Sequence, residues 1–333
     1  MAINSGTGFS AETARVEGVN IVRLADAPRG MEVCLAPEIG NMAYAFTVGG
    51  KDLLWVPFSG PAALRAQPAL CGIPFLAPWA NRIDGDAYWA NGKQFLLNPA
   101  LGNLRRDSHQ KPIHGLLNFS PAWTLVAAGA DARSAYATSR LAFFRHSEMM
   151  AQFPFAHSLT MTYRLEDGSL IVETSLENHA SEPMPVALGF HPYFQLSDAP
   201  REQWNVHLAA RDHLRLDENL IPTGAREPVR FADPHPLRER QLDDVFTGLV
   251  RDPGGMARFW VQGDRQRITV EYGPKYTVAV VYAPDGNNFI CFEPMAAITN
   301  AFNLAHHGRY AELQSLPPGA EWREIFRVTP SGF

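Results

Sequence analysis

The sequence predicts an all-β fold, a large antiparallel β-sandwich with few and short helices, on three observations. Apolar and polar residues alternate with period two on both sides of short glycine-containing turns, 26 Gly and 26 Pro punctuate the chain from end to end, and no segment of helical length keeps a clean 3.6-residue apolar period. Sheets patterned in this way carry one wet and one apolar face, so the apolar faces must pack against each other.

In chain order, "MAINSGTGFSAETARVEG" has no basic segment followed by an apolar one. Residues 1–18 are therefore expected to be a flexible leader ahead of the first strand rather than a secretory signal, with a single domain over residues 19–333. "YAFTVGGKDLLWVP" reads as a hairpin around Gly49-Gly50 and "AYWANGKQFLL" as one around Asn91-Gly92. The best helix candidate, "PAALRAQPALCG", is interrupted by Pro68. Near residue 130, "AAGADARSA" is small and polar, and would mark the boundary if there were two domains. The clearest hairpin is "HSLTMTYRLEDGSLIVETSLENHA". Leu159, Met161, Tyr163 and Leu165 precede the Asp167-Gly168 turn, and Leu170, Val172 and Leu176 follow it on one face, with Glu173, Ser175 and Glu177 on the other. "YTVAVVYAPDGNNFICFEP" gives a last hairpin around Asp285-Gly286.

With 333 residues, 46% of them hydrophobic, the chain can bury a large core. Its formal net charge of -5 gives no electrostatic reason to expect nucleic acid or an acidic membrane surface as partner, which leaves small molecules. No apolar run approaches membrane-spanning length. Cys34, Cys71 and Cys291 are odd in number and far apart in apolar sequence, against a disulfide framework or a Cys-rich metal site. A reducing, cytoplasmic location is the simplest expectation.

Five stretches place a titratable residue among apolar ones. In "GIPFLAPWANRIDGDAYWANG", Arg82 is a salt-bridge partner or a fork of donors for substrate oxygens. In "KPIHGLLNFSPAW", His114 precedes Gly115, where the backbone can bend close to a ligand. In "ALGFHPYFQL", His191 is either a satisfied core imidazole or a site group. In "QLDDVFTGL", Asp243 and Asp244 are adjacent strand residues, so at most one faces any pocket. In "NNFICFEPMAAITNAFN", alternation puts Phe289, Cys291 and Glu293 on one face and Ile290 and Phe292 on the other. A carboxylate following apolar residues of its own face must be paired, hydrogen-bonded or engaged in chemistry.

Taken together, "WANRIDG", "IHGLLN", "GFHPYF", "LDDVF" and "FEPMAAITNAFN" stand in the order found in the aldose 1-epimerase (galactose mutarotase) family, which the chain resembles over most of its length. The resemblance implies a galactose mutarotase-like supersandwich whose open sheet face binds a monosaccharide. It also implies interconversion of α and β anomers with no cofactor and no metal, by a monomer or homodimer. Carried over residue by residue, Glu293 resembles the general base and His191 the general acid. Arg82, His114 and Asp243 resemble the sugar-binding and polarising residues, and Asn81 a further hydroxyl contact. Asp243 is preferred to Asp244 because the family aspartate follows a hydrophobic residue and precedes the phenylalanine by three. Phe190 stands where the better-known galactose-specific members have Asn, so the chain resembles a broader bacterial branch with "HPYF", and the galactose preference stays open.

Anomer exchange opens a cyclic hemiacetal, removing a proton from the anomeric hydroxyl while the ring oxygen gains one; an acid and a base acting together avoid a free oxyanion. From reference values of about 6.5 and 4.3, His191 is expected to be charged and Glu293 ionised near neutral pH, giving an acidic limb from the carboxylate and a basic limb from the imidazole. Trp79, Tyr193 and Phe302 are candidates to face a pyranose, although isolated aromatics are more often core. Three alternatives remain. A glycoside hydrolase using Asp243 and Glu293 leaves His191 without a role. A non-catalytic sugar-binding protein could share the fold. A hexose-6-phosphate 1-epimerase could draw on Arg105, Arg106 and Lys111 of "NLRRDSHQK" for its phosphate.

Overall fold

The Asp167-Gly168 turn joins His157–Glu166 to Ser169–Asn178 in continuous antiparallel register. Both turn residues have positive φ, 49° and 72°, the geometry whose twist matches that of the flanking strands. Asn91-Gly92 does the same between Ala87–Ala90 and Lys93–Leu96, as does Gly49-Gly50 between Met42–Val48 and Lys51–Asp52. The stretch near residue 130 is the end of another hairpin, Thr124–Ala130 with Ser134–Ala142. Asp285-Gly286 lies in a longer connection between the paired strands Val278–Ala283 and Ile290–Met295.

These hairpins assemble into large antiparallel sheets in a computed structural model that describes residues 2–4, 8–239 and 241–333. A nine-stranded sheet has the C-terminal strand Glu321–Ser331 in its middle, between Ser169–Asn178 and Arg267–Tyr272. An eight-stranded sheet has Ile290–Met295 in its interior, between Val278–Ala283 and the short strands Gly189–Phe190 and Tyr193–Phe194. The two pack face to face: Phe190 lies 4.8 Å from Phe326 and Phe292 lies 6.1 Å from Phe259, centroid to centroid. One contiguous apolar cluster runs from Phe9 to Val328. The β-sandwich read from the alternation is the fold observed.

The expected leader is corrected. Phe9–Val16 is a strand, turning at Glu17-Gly18 to pair along its full length with Val19–Asp26. It belongs to a six-stranded sheet at Ala2–Asn4 through Lys51–Asp52, and Phe9 and Ala11 are buried in the core. The burial of two alternating apolar residues, with full-length pairing to Val19–Asp26, outweighs the weak apolar contrast of the segment. Met1 and residues 5–7 of the leader lie outside the described residues.

Among the described residues there are three α-helices, Pro61–Ala66, Ser147–Gln152 and Ala301–His306, each six residues long. The first stops just short of Pro68. Among the described residues no helix is long and apolar enough to cross a membrane. Cys34, Cys71 and Cys291 are free and buried.

Candidate functional site

Strand Ile290–Met295 is buried at every position, so Glu293 has no wet face to turn to. Gly189 pairs with Met295 and Tyr193 with Cys291, and this shared register sets His191 opposite Glu293. Gly189 permits the approach: a Cβ there would lie 2.8 Å from Pro294 O and 2.9 Å from Met295 Cγ. His191 N–H donates to Pro74 O at 3.0 Å, and the ring stacks on Tyr193 at 4.6 Å and 6°. The result is a separation of 3.4 Å between His191 Nε2 and Glu293 Oε1.

A second wall comes from the loops around Asn81 and His114, both in the left-handed region with φ 58° and 64°. His114 N–H donates to Asn81 O at 2.9 Å, which locks the two bends together. Gly115, φ 67°, follows where a Cβ would come within 2.1 Å of Ala77 O, so only glycine fits. Asn81 Oδ1 accepts from Arg82 N–H and from Arg82 Nη1, both at 3.0 Å. Arg82 Nε donates to Asp107 Oδ2 at 2.5 Å. Asp107 is itself fixed through Oδ1, which accepts the N–H of His109 and of Lys111, each at 2.9 Å.

The third wall is the sheet face beside Glu293. Asp243 pairs in register with Tyr282, and Val280 with Glu293, so alternation puts all four side chains on one face. Asp244 points the other way, is buried and holds His213 Nε2 at 2.7 Å. Asn81, Arg82, His114, His191, Asp243 and Glu293 all line one cavity of about 250 Å³. That is slightly below the roughly 300–1,000 Å³ of sites for drug-sized ligands. Arg105, Arg106, Asp107, Tyr193 and Tyr282 add further polar groups to its wall, with Leu70, Ile113 and Val280 as its apolar part.

Burial dominates the electrostatics here. It pushes Glu293 well above the usual carboxylate range, Asp243 adds to the effect, and Arg82 opposes it. It pushes His191 down to about 3, with the ring's own backbone carbonyl opposing and Arg105 and Arg82 lowering it further. The expectation of an imidazolium beside a carboxylate is therefore corrected for the ligand-free site, where low dielectric favours the neutral form of each. His114 is lowered well below its ordinary value by burial, then by His191 and the two arginines, so its ring is a neutral hydrogen-bonding group. Asp243 is exposed at the cavity mouth yet surrounded by protein on the scale over which charges interact; this desolvation raises its carboxyl against the pull of Arg82, with Asp244 adding to the rise. Desolvation also works on Asp107, but the Arg82 and Lys111 hydrogen bonds outweigh it and hold the carboxyl below its ordinary value.

Trp79 and Phe302 are 2% exposed and pack with Tyr88 inside the core, so of the three candidate aromatics only Tyr193 lines the cavity. Lys111 pairs with Asp84 and does not line the cavity. Asp107 and Tyr282 went unnoticed in the sequence. Tyr282 follows the same alternation as Val280 and was legible from it, whereas nothing in "RRDSHQK" marks Asp107 as the partner of an arginine 25 residues away. Among the described residues no group of three or more His, Cys, Asp or Glu side chains is placed to hold a metal ion.

The sandwich of large antiparallel sheets is the fold of galactose mutarotase-like proteins. The chain belongs to the aldose 1-epimerase family, whose model matches residues 43–329. It is similar in structure to a galactose mutarotase-like protein from Clostridium acetobutylicum, with a TM-score of 0.85 and 19% identity over 97% of this chain and 98% of that one. It is also similar to galactose 1-epimerase from Lactobacillus acidophilus, with a TM-score of 0.74 and 15% identity over 97% and 99% of the two chains. In sequence it is 24% identical to the uncharacterised protein YphB of Escherichia coli over 255 residues, 73% of this chain and 78% of that protein. Human galactose mutarotase is 37% identical over 81 residues, 23% of each chain.

Proposed function

We propose that this protein is an aldose 1-epimerase that interconverts the α and β anomers of a monosaccharide through Glu293 and His191. The observation that carries the reading is the His191–Glu293 pair, 3.4 Å apart, inside a cavity that Asn81, Arg82, His114 and Asp243 also line. Glu293 takes the proton of the anomeric hydroxyl and the O1 electrons form the aldehyde C=O. The C1–O5 bond breaks, its electron pair stays on O5, and O5 takes a proton from His191. After rotation about C1–C2, O5 attacks the other face of the aldehyde, returning its proton to His191 while Glu293 returns one to O1. Each role contributes typically ~10²–10⁴-fold.

Opening leaves Glu293 protonated and His191 neutral, the pairing that burial favours in the ligand-free cavity. The reactive arrangement, carboxylate and imidazolium, holds the same single proton on the other partner. Sugar hydroxyls that hydrogen-bond the carboxylate, with Arg82 beside it, lower the cost of that transfer. Arg82, Asn81 and neutral His114 offer donors to hydroxyls, and Asp243 an acceptor. Polarimetry tests the reading: protein should accelerate the return of freshly dissolved α-aldoses to anomeric equilibrium with chelator present and no nucleotide. Only the buffer rate across a panel of aldoses would remove the catalytic reading and leave a sugar-binding protein.

A further inference from the structure

Resting on the reading of the cavity as an aldose 1-epimerase site, we infer that the aldose it takes carries an anionic substituent, a carboxylate or a phosphate ester, received by Arg105. Four cationic side chains stand on the loops around the cavity, and three already have carboxylate partners. Arg82 is bound to Asp107, Arg106 to Asp86 at 2.8 Å, and Lys111 to Asp84. Arg106 also donates to Gln110 O at 2.6 Å. Arg105 differs: it lines the cavity, and among the described residues no carboxylate pairs with it. Its guanidinium lies 6.0 Å from the Phe119 ring. Its backbone is nonetheless held, since Arg105 O accepts the Ile113 N–H at 2.9 Å, one residue before His114. A fork of five donors is thus presented from a fixed point at the rim, unspent on the protein.

Arg105 bears on His114, His191 and Tyr193 and Asp243 on Glu293 and Tyr282, while Arg82 bears on both sides. An anionic substituent gains charge-assisted, bidentate hydrogen bonds from Arg105 that a neutral hydroxyl does not. Arg105 also lines a second groove of about 530 Å³, walled by Pro68, Leu104, Asn118, Phe119 and Glu148. The anion would act on the chemistry too. Arg105 is one of the charges that disfavour the His191 imidazolium, so an anion set against it removes part of that penalty and favours the proton donor needed for ring opening.

The test compares anomerisation of glucose, glucuronate and glucose 6-phosphate, and the galactose counterparts, by polarimetry or exchange NMR. The expected result is a kcat/KM at least about tenfold higher for one anionic series than for its neutral parent, an advantage that shrinks as salt is raised. R105Q should bring the anionic-to-neutral ratio down toward one, and R105K should keep part of it. Preference for the uronates would identify a carboxylate, and preference for the 6-phosphates a phosphate. Neutral parents turned over as well as both anionic series, or an unchanged ratio in R105Q, would overturn the inference while leaving the epimerase reading intact. If no sugar is turned over, the epimerase reading fails separately. Calorimetric affinities of the same sugars for wild type and R105Q then decide the role of Arg105 by the same ratio.

Discussion

His191 and Glu293 are opposed across one antiparallel register, and the 3.4 Å between Nε2 and Oε1 makes them a single titrating unit rather than two independent groups. Burial lowers the histidine to about 3 and raises the carboxyl well above its ordinary range, so the pair holds one proton over the whole interval between.

The rate against pH should therefore be a broad plateau. It falls on the acidic side only when a second proton is added, with the limb toward about pH 3, and on the basic side when the last one leaves. Both limbs are those of the pair, and burial favours the shared proton on Glu293 rather than on His191, the reverse of what reference values suggest. Since either allocation gives a plateau, the ¹⁵N chemical shifts of His191 decide between them. A neutral ring at pH 7 is expected, and an imidazolium at that pH would overturn the allocation.

Stability should carry the same signature. The folded state keeps the Glu293 proton that the unfolded chain releases near about pH 4.3, so the carboxyl lowers stability progressively as pH rises from there toward its folded value. His191 runs the other way: its depressed folded value means stability is gained as pH rises from about 3 toward the unfolded reference of about 6.5. Glu293→Gln removes the carboxyl's contribution and leaves His191 to titrate without its partner. Its melting temperature relative to wild type should climb between pH 5 and pH 9; a difference that does not change with pH would mean that Glu293 is solvated.

What alternation could supply from the sequence was a face, and what it could not supply was a partner. It placed Glu293 with Phe289 and Cys291, and those two residues do form a cluster with Tyr193. It also allowed only one of Asp243 and Asp244 into a pocket, and the cavity takes Asp243. It gave no warning that Ile290–Met295 is buried on both faces, because depth in a sandwich depends on the other sheet. The same burial pushes His191 below and Glu293 above their reference values. The Arg82–Asp107 contact and the unpaired Arg105 depend on how an irregular loop folds back, which no periodicity encodes.

Glu293→Gln and His191→Asn should each lower turnover by about 10²–10⁴-fold with the fold retained. Because both act on the same ring opening, the double variant should lose much less than the product of the single losses. Progress curves for the three variants and wild type suffice. Multiplicative losses would show that the residues act in separate steps.

Arg82 spends one face on Asn81 and Asp107, which fixes the guanidinium without neutralising its reach toward Glu293. Arg82→Ala should weaken sugar binding as well as slow turnover, by about 10- to 100-fold, the worth of a hydrogen bond to a charged group. Asp107→Asn should move in the same direction by less, since Asn keeps an acceptor but loses the charge. Calorimetry with the preferred sugar reads both, and unchanged affinity in Arg82→Ala would place that side chain outside the binding interaction.

Gly115 supports the site from behind, and two glycines in the same backbone region separate its role from ordinary turn preference. Gly115 and Gly92 have φ of 67° and 73°, so alanine at either pays the left-handed strain of about 1–2 kcal/mol. At Gly92 nothing lies within 4 Å of the added Cβ, and Gly92→Ala should cost no more than that strain. At Gly115 the same Cβ would meet Ala77 O at 2.1 Å and Ala77 C at 2.4 Å, backbone atoms that cannot swing aside as a side chain would. Relief requires His114, the preceding residue, to move away from the bend fixed by its N–H bond to Asn81 O. Gly115→Ala should therefore be the more destabilising in denaturant titration and should also lose activity in the fraction that remains folded, whereas Gly92→Ala keeps wild-type turnover. Equal destabilisation by the two, with turnover intact in both, would show that the close approach at Ala77 does not position His114.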